Sequence, residues 1–213
     1  MRLRNVKDAS IKIDASNYII KNYEDYKGNY KNIFNDDNKL CIEIGMGKGD
    51  FIIGMAQNYP NTNFIGIEKY DSVMVRAVEK LDRLNTGIEL KNLKLIKMDA
   101  EYIDKVFDKE IDTIYLNFSD PWPKDRHEKR RLTSSNFLKK YDNLFKSTKH
   151  IIFKTDNRKL FEYSIKSFTD YGYTINNISL DLHSDDIFNV ETEYEKRFSS
   201  LGYPIYMIDI MKD

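Results

Sequence analysis

The chain has 213 residues, with 34 Lys and Arg balanced by 34 Asp and Glu, three His and one Cys. A chain of this length buries about 70–75% of its unfolded surface and needs no staple, while one cysteine excludes an internal disulfide and three scattered histidines supply no metal-ligand set. The start, M-R-L-R-N-V-K-D, lacks a signal peptide's apolar region and no apolar run approaches the ~20 residues of a membrane span, so a soluble, cytoplasmic protein without membrane or metal partners is expected.

The pattern predicts a single domain over 1–213, made of a basic N-terminal extension at 1–38 and a Rossmann-like core at 39–213. Residues 1–31 carry seven positive and four negative groups. Ile-rich apolar runs at 40–44, 63–67, 93–98, 111–118 and 150–154 are bounded by Gly, Asp, Asn or Pro and predict buried strands. The first of them contains Cys41, which reads as a buried, inert thiol. Helical spacing at 51–58, 72–84, 134–145 and 158–171 fills the intervals, with Val75, Val78, Leu81 and Leu84 forming an apolar stripe in the second. Strands alternating with helices predict a parallel sheet covered on both faces. Two last runs, 173–182 and 204–211, show no helix between them and predict an antiparallel, hairpin-like addition. The expected fold class is therefore α/β, doubly wound and Rossmann-like, mostly parallel with an antiparallel C-terminal strand.

The turn after the first strand reads E-I-G-M-G-K-G-D, with glycines at 45, 47 and 49. In a doubly wound sheet this turn is the usual ligand cradle, and glycines let backbone approach a ligand closely. A dinucleotide fingerprint needs glycine at position 50, where Asp50 stands, and the phosphate-binding G-x-x-x-x-G-K-[ST] pattern is missing. Glu43, just before the loop, disfavours pyrophosphate and suits a cation. Glu68 ends the second strand, where an acid hydrogen-bonds ribose hydroxyls, and Asp99 ends the third, beside an adenine edge. Acids at three successive strand ends suit a positively charged nucleoside without phosphates, which is S-adenosylmethionine.

Asp120-Pro121-Trp122-Pro123 follows the fourth strand, beside the point where strand order should switch. The two prolines fix their own φ and bias Asp120 and Trp122 toward extended conformations, so the turn can hold a carboxylate and a ring where a methyl acceptor lies. Lys124, Arg126, Lys129, Arg130 and Arg131, with His127, follow at once; they can neutralise phosphates, which fix position without reading sequence. The segment 181–195 has six acids and no Lys or Arg. Glu193 and Glu195 within it can accept from guanine N1–H and the exocyclic amine, a donor pair that adenine lacks.

Six stretches occur in this order across most of the chain: E-I-G-M-G-K-G at 43–49, G-I-E at 66–68, D-A at 99–100, D-P-W-P-K at 120–124, K-T-D at 154–156 and T-E-Y-E at 192–195. Together they resemble the bacterial tRNA (guanine-N7-)-methyltransferases, a class I group that uses S-adenosylmethionine. The resemblance implies methyl transfer to N7 of a guanosine in the tRNA variable loop. It implies a cofactor pocket served by Glu43, Gly45, Gly47, Gly49, Glu68, Asp99, Ala100 and Asp120, with Asp120 also at the reaction centre. It further implies guanosine contacts from Lys124, Asp156, Thr192, Glu193, Tyr194 and Glu195. Two other readings compete: an adenine or cytosine amino-methyltransferase, which carries a D-P-P-Y-like turn at this strand end, and a catalytically silent RNA-binding module. Local motifs leave the assembly open between monomer and homodimer.

Overall fold

The computed structural model describes residues 6–84 and 89–213. Seven strands, β1 Lys39–Ile44, β2 Thr62–Glu68, β3 Leu93–Lys97, β4 Thr113–Asn117, β5 Lys149–Thr155, β6 Thr174–Ser179 and β7 Tyr206–Lys212, form one sheet in the order β3-β2-β1-β4-β5-β7-β6. The first five run parallel, and β7 is antiparallel to both β5 and β6. In β2 every residue from Asn63 to Glu68 is buried, which is why the central strands read as unbroken apolar runs rather than alternating ones.

The helices are α1 Ala9–Ala15, α2 Lys31–Phe34, α3 Asp50–Asn58, α4 Asp71–Leu84, α5 Ile103–Val106, α6 Ser135–Tyr141, α7 Arg158–Asp170 and α8 Glu193–Ser199. One core layer packs Phe51 and Ile52 of α3 with Met74, Val78 and Leu81 of α4. The other packs Ile103, Phe137 and Tyr141 with Phe161 and Phe168 of α7. Helices on both faces of a mostly parallel sheet leave the carboxyl ends of the strands open, and the order reverses between β1 and β4. That crevice is where ligands bind in such sheets.

One expectation is corrected. Strands β6 and β7 do pair antiparallel, but not as a hairpin, because α8 lies between them in the chain and β7 inserts between β5 and β6. The helix escaped notice because Glu195 is its only buried residue, so it has no apolar period. The described part of the N-terminal extension packs against the core. Ile20 N–H donates to the Leu95 carbonyl at 2.9 Å and Leu95 N–H to the Tyr18 carbonyl at 2.8 Å, covering the edge of β3. Lys12 on α1 pairs with Glu79 on α4 at 2.8 Å. Arg2 and Arg4, part of the basic excess, lie outside the described residues.

Candidate active site

The turn from β1 into α3 owes its shape to its glycines. Gly45, Gly47 and Gly49 all have positive φ, at 79°, 57° and 81°. A Cβ at Gly49 would come within 2.8 Å of the Ala77 side chain, so this glycine lets α3 sit against α4. Positions 45 and 47 meet nothing within 4 Å, so their open sides form a cradle that side chains would fill. Glu68, at the end of β2, ties the loop down. Its Oε2 accepts from Gly47 N–H at 3.1 Å, and its Oε1 accepts from Lys69 and Tyr70 N–H at 2.8 and 3.0 Å. A carboxylate has about four acceptor sites, so one remains on Oε2 for a ligand hydroxyl.

Glu43 lies behind this loop. It is 1% exposed, and its Oε1 accepts from Asn117 Nδ2 on β4 at 2.8 Å, across the β1–β4 switch. Burial pushes its carboxyl up to about 8, against the opposing Asn117 hydrogen bond and Lys154 charge. Glu43 Oε2, Asn117 Oδ1 and Ser119 Oγ have no partner among the described residues. Three unfilled polar atoms around the switch point are costly unless a bound group completes them.

A cavity of about 600 Å³ opens in front of the loop, within the range of small-ligand sites. It is lined by Gly45, Glu68, Asp99, Ala100, Phe118, Ser119, Asp120, Trp122 and Arg130 among others, so the ends of β1 to β4 all reach it. Burial raises the Glu68 carboxyl above its ordinary range, three backbone donors oppose this, and the nearby charge of Asp120 adds to the rise. Two carboxylates on one cavity make a negative field that favours a cation. Asp99 begins a 3-10 turn, accepts from Glu101 N–H at 3.1 Å and pairs with Lys69. Burial raises its carboxyl, but the Lys69 hydrogen bond and charge prevail and hold it below the ordinary range.

The turn after β4 departs from the extended form expected of it. Phe118 and Trp122 both have positive φ, at 51° and 41°. Such conformations cost about 1–3 kcal/mol each and persist only when surroundings enforce them. Here Arg131 does so, donating from Nε to the Pro121 carbonyl at 3.0 Å and from an Nη to the Trp122 carbonyl at 3.1 Å. Arg130 lies over the Trp122 ring at 4.9 Å and His127 meets its edge at 5.6 Å. The basic run therefore divides. Arg130, Arg131 and His127 frame the turn, whereas Lys124, Arg126 and Lys129 are exposed and form no ion pair among the described residues.

The T-E-Y-E stretch proves to be a helix start. Thr192 Oγ1 accepts from Glu195 N–H at 2.9 Å while the Glu195 carboxylate receives the Thr192 N–H, a capping box on α8. Glu195 does not face a guanine. It is fully buried, with Oε2 bonded to Lys154 Nζ at 2.8 Å and Oε1 to Asn189 at 2.6 Å and His183 at 3.2 Å. Glu193 is held by Lys48 of the glycine loop and, at 3.8 Å, by Lys80. Tyr194 points outward and donates its hydroxyl to Asp156 at 3.1 Å, at the end of β5. Lys154, passed over as a site residue, anchors the segment: its Nζ also reaches the Asn189 side chain at 2.8 Å and the Val190 carbonyl at 3.0 Å. Burial lowers its ammonium below the ordinary lysine range, and Glu195 opposes that drop. A lysine amid an Ile-rich strand was the available signal. Among the described residues no His, Cys, Asp and Glu group is arranged to hold a metal, and no helix is long and apolar enough to cross a membrane.

Comparison with known proteins places these features in context. A family model described as "Putative methyltransferase" matches residues 37–208. The chain is 51% identical over 193 residues to the tRNA (guanine-N(7)-)-methyltransferase of Bacillus subtilis (strain 168), covering 90% of this chain and 89% of that one. It is 47% identical over 211 residues to the protein of the same name from Lachnoclostridium phytofermentans, covering 98% and 97%. Among solved structures, an antibiotic-related methyltransferase superposes at TM-score 0.67 with 20% identity, covering 91% of this chain and 95% of that one. A 16S rRNA (adenine(1408)-N(1))-methyltransferase from Catenulisporales acidiphilia, with cosubstrate SAM, superposes at 0.60 with 11% identity, covering 86% and 89%. Those two likenesses speak for the fold.

Proposed function

The chain belongs to the tRNA (guanine-N(7)-)-methyltransferase family, and from that premise we propose that the crevice at the β1–β4 switch binds S-adenosylmethionine and presents its methyl group to N7 of a guanosine in the tRNA variable loop. The enzyme methylates guanine N7 in tRNA. The observation that carries the site assignment is one cavity faced by both Glu68 and Asp120 and floored by an open glycine loop. Glu68 has one acceptor site left for a ribose hydroxyl, and the partnerless oxygens of Glu43, Asn117 and Ser119 offer hydrogen bonds beside it. The Glu68 and Asp120 carboxylates on the cavity fit a cationic nucleoside and repel a pyrophosphate.

When bound, S-adenosylmethionine supplies an electrophilic methyl group on a sulfonium. Guanine N7 has an in-plane lone pair and no proton to lose, so the protein needs no general base. It needs alignment, which is worth several kcal/mol. Positive charge develops on the purine as the bond to N7 forms, and Asp120, exposed at the cavity mouth, stabilises it. Trp122, braced by Arg130 and Arg131, forms one wall for the base. Lys124, Arg126 and Lys129 lie beside that mouth and hold RNA phosphates. Glu195 and Lys154 act on the substrate indirectly, by fixing the segment that carries Thr192, Glu193 and Tyr194. N7 lies on the major-groove edge of guanine, which tertiary pairing and crowded neighbours often cover in folded RNA, so the guanosine swings out of its stack to reach Asp120. A single domain working in the cytoplasm, where tRNA is found, accords with this reading.

Incubation of the protein with unmodified tRNA and labelled S-adenosylmethionine tests it. Borohydride and aniline should then cleave the product at one variable-loop guanosine. Label recovered on an adenine or cytosine amine, or at another guanosine, overturns the assignment.

A further inference from the structure

The contacts of α8 are unusual for a surface helix. Its one buried residue is the charged Glu195, while Tyr194 is exposed and Phe198 half-buried. Tyr194 and Phe198 stack at 4.2 Å with their planes 20° apart. Beyond them Phe198 meets Tyr203 edge-on at 5.6 Å, and inward Tyr194 meets Phe118 at 5.2 Å. Phe118 lines the reaction cavity. The four rings therefore make a continuous series from the cavity across the surface, and Tyr194 and Tyr203 are 43% and 54% exposed. Asp156 fixes the Tyr194 ring by its hydroxyl. Arg197 sits 5.9 Å from the Phe198 ring and Lys196 beside it is exposed, neither in an ion pair among the described residues.

A stripe of rings that is exposed at Tyr194 and Tyr203 and half-buried at Phe198, flanked by cations without ion pairs among the described residues, matches what single-stranded nucleic acid binds: bases stack on the rings and phosphates meet the cations. Burial does not account for the exposed Tyr203, since α8 is held to the protein by the Lys154–Glu195 ion pair, the Lys48–Glu193 contact and the Tyr194–Asp156 hydrogen bond. We propose that Tyr194, Phe198 and Tyr203 form a stacking track for the unstacked bases next to the target guanosine, with Lys196 and Arg197 holding the strand's phosphates. The occupant is RNA because the track is continuous with the cavity where the guanosine reacts. It rests on the function proposed above and extends it from one nucleotide to its neighbours. The track keeps the flanking strand splayed, so the guanosine does not restack during transfer.

The test uses the full chain and an unmodified tRNA transcript. Tyr203→Leu and Phe198→Leu keep apolar bulk and remove the π face. Each should weaken tRNA binding in filter assays and raise the KM for tRNA by about 5- to 150-fold, the range for one lost base–aromatic stack. Saturating kcat and cofactor affinity should stay as in wild type, and Tyr203→Phe should restore binding. Replacing Lys196 and Arg197 with Ala should flatten the salt dependence by about 0.7 per contact in log–log slope. If Phe198→Leu lowers the melting temperature, the exposed Tyr203 carries the test. Leu variants that keep wild-type tRNA affinity and KM overturn the track. So does a change of oligomeric state in light scattering with tRNA affinity unchanged, which makes this face a self-interface. Failure of wild type to methylate guanine N7 would instead sink the functional reading, and filter binding still judges the track.

Discussion

At the scale of single residues, two carboxyl groups a few positions from their strand ends do different work because their surroundings differ. Glu43 is sealed at 1% exposure and holds its proton up to about pH 8, whereas Asp120 is exposed at the cavity mouth. Between the ordinary value of 4.5 and about 8, the folded chain binds a proton at Glu43 that the unfolded chain has lost. That contribution is whole below the lower value and is lost as pH rises through the upper one. Relative to Glu43→Gln, the wild-type protein should therefore lose stability across this window, with a slope of at most ~1.4 kcal/mol per pH unit, measured by urea titration at several pH values. A constant difference would mean that Glu43 is ionised in the fold. For Asp120→Asn the expected loss is in turnover, about 10²–10³-fold in kcat, with the fold retained because the amide keeps the side chain's size. Glu68→Ala removes a loop tether as well as the proposed ribose contact, so cofactor affinity should fall by more than the ~10- to 150-fold typical of one charge-assisted hydrogen bond. Calorimetry with wild-type affinity would move the ribose elsewhere.

Whole elements depend on contacts far apart in the chain. Helix α8 has no apolar stripe to bury, and its attachment comes from Lys154 on β5 through Glu195. Breaking one side of a buried pair leaves a charge without its partner, at about 3–5 kcal/mol. Lys154→Ala should lower the melting temperature by roughly 6–20 °C for a chain of this size. Combining Lys154→Met with Glu195→Gln should recover much of that loss, because the capping box survives and no charge is stranded. If the double variant melts no higher than the single one, the pair is not what holds α8. The Asp120–Pro123 turn has its own distant brace in Arg131, which also lies 4.2 Å over the Tyr163 ring of α7. Lys cannot reproduce the two-pronged contact, so Arg131→Lys should release Trp122 and cost turnover more than tRNA affinity.

On the scale of the whole molecule, a formal charge of zero coexists with local fields of opposite sign. The cavity is lined by Glu68, Asp99 and Asp120, while the exposed Lys124, Arg126 and Lys129 lie in the chain between its lining residues Trp122 and Arg130. On the proposed reading, a cationic cofactor and a polyanionic RNA each meet a field of opposite sign. Changing those three cations to Ala should reduce the log–log salt slope of tRNA binding by about 2–2.7 in total and leave cofactor affinity alone. An unchanged slope would show that the tRNA passes over another face.

Local spacing determined much of this protein. The five parallel strands, the glycine cradle, the acids at the ends of β2 and β3 and the stiff turn after β4 were all legible, because each rests on short-range periodicity or turn chemistry that a few neighbouring residues encode. The T-x-x-E helix start was equally present in the letters at 192–195, but its acids were assigned to a guanine. Only the tertiary structure decided that Glu195 points inward, since its partner Lys154 lies 41 residues away in the chain. The same holds for Arg131, whose guanidinium was counted among the phosphate contacts until the fold brought the Pro121 and Trp122 carbonyls to it. It holds for β7, whose place between β5 and β6 depends on which edge offers unpaired backbone once the parallel sheet is built. A residue's type sets what bonds it can make. Which of them it makes is settled by the groups that folding brings within reach, and burial punishes every polar atom left without one.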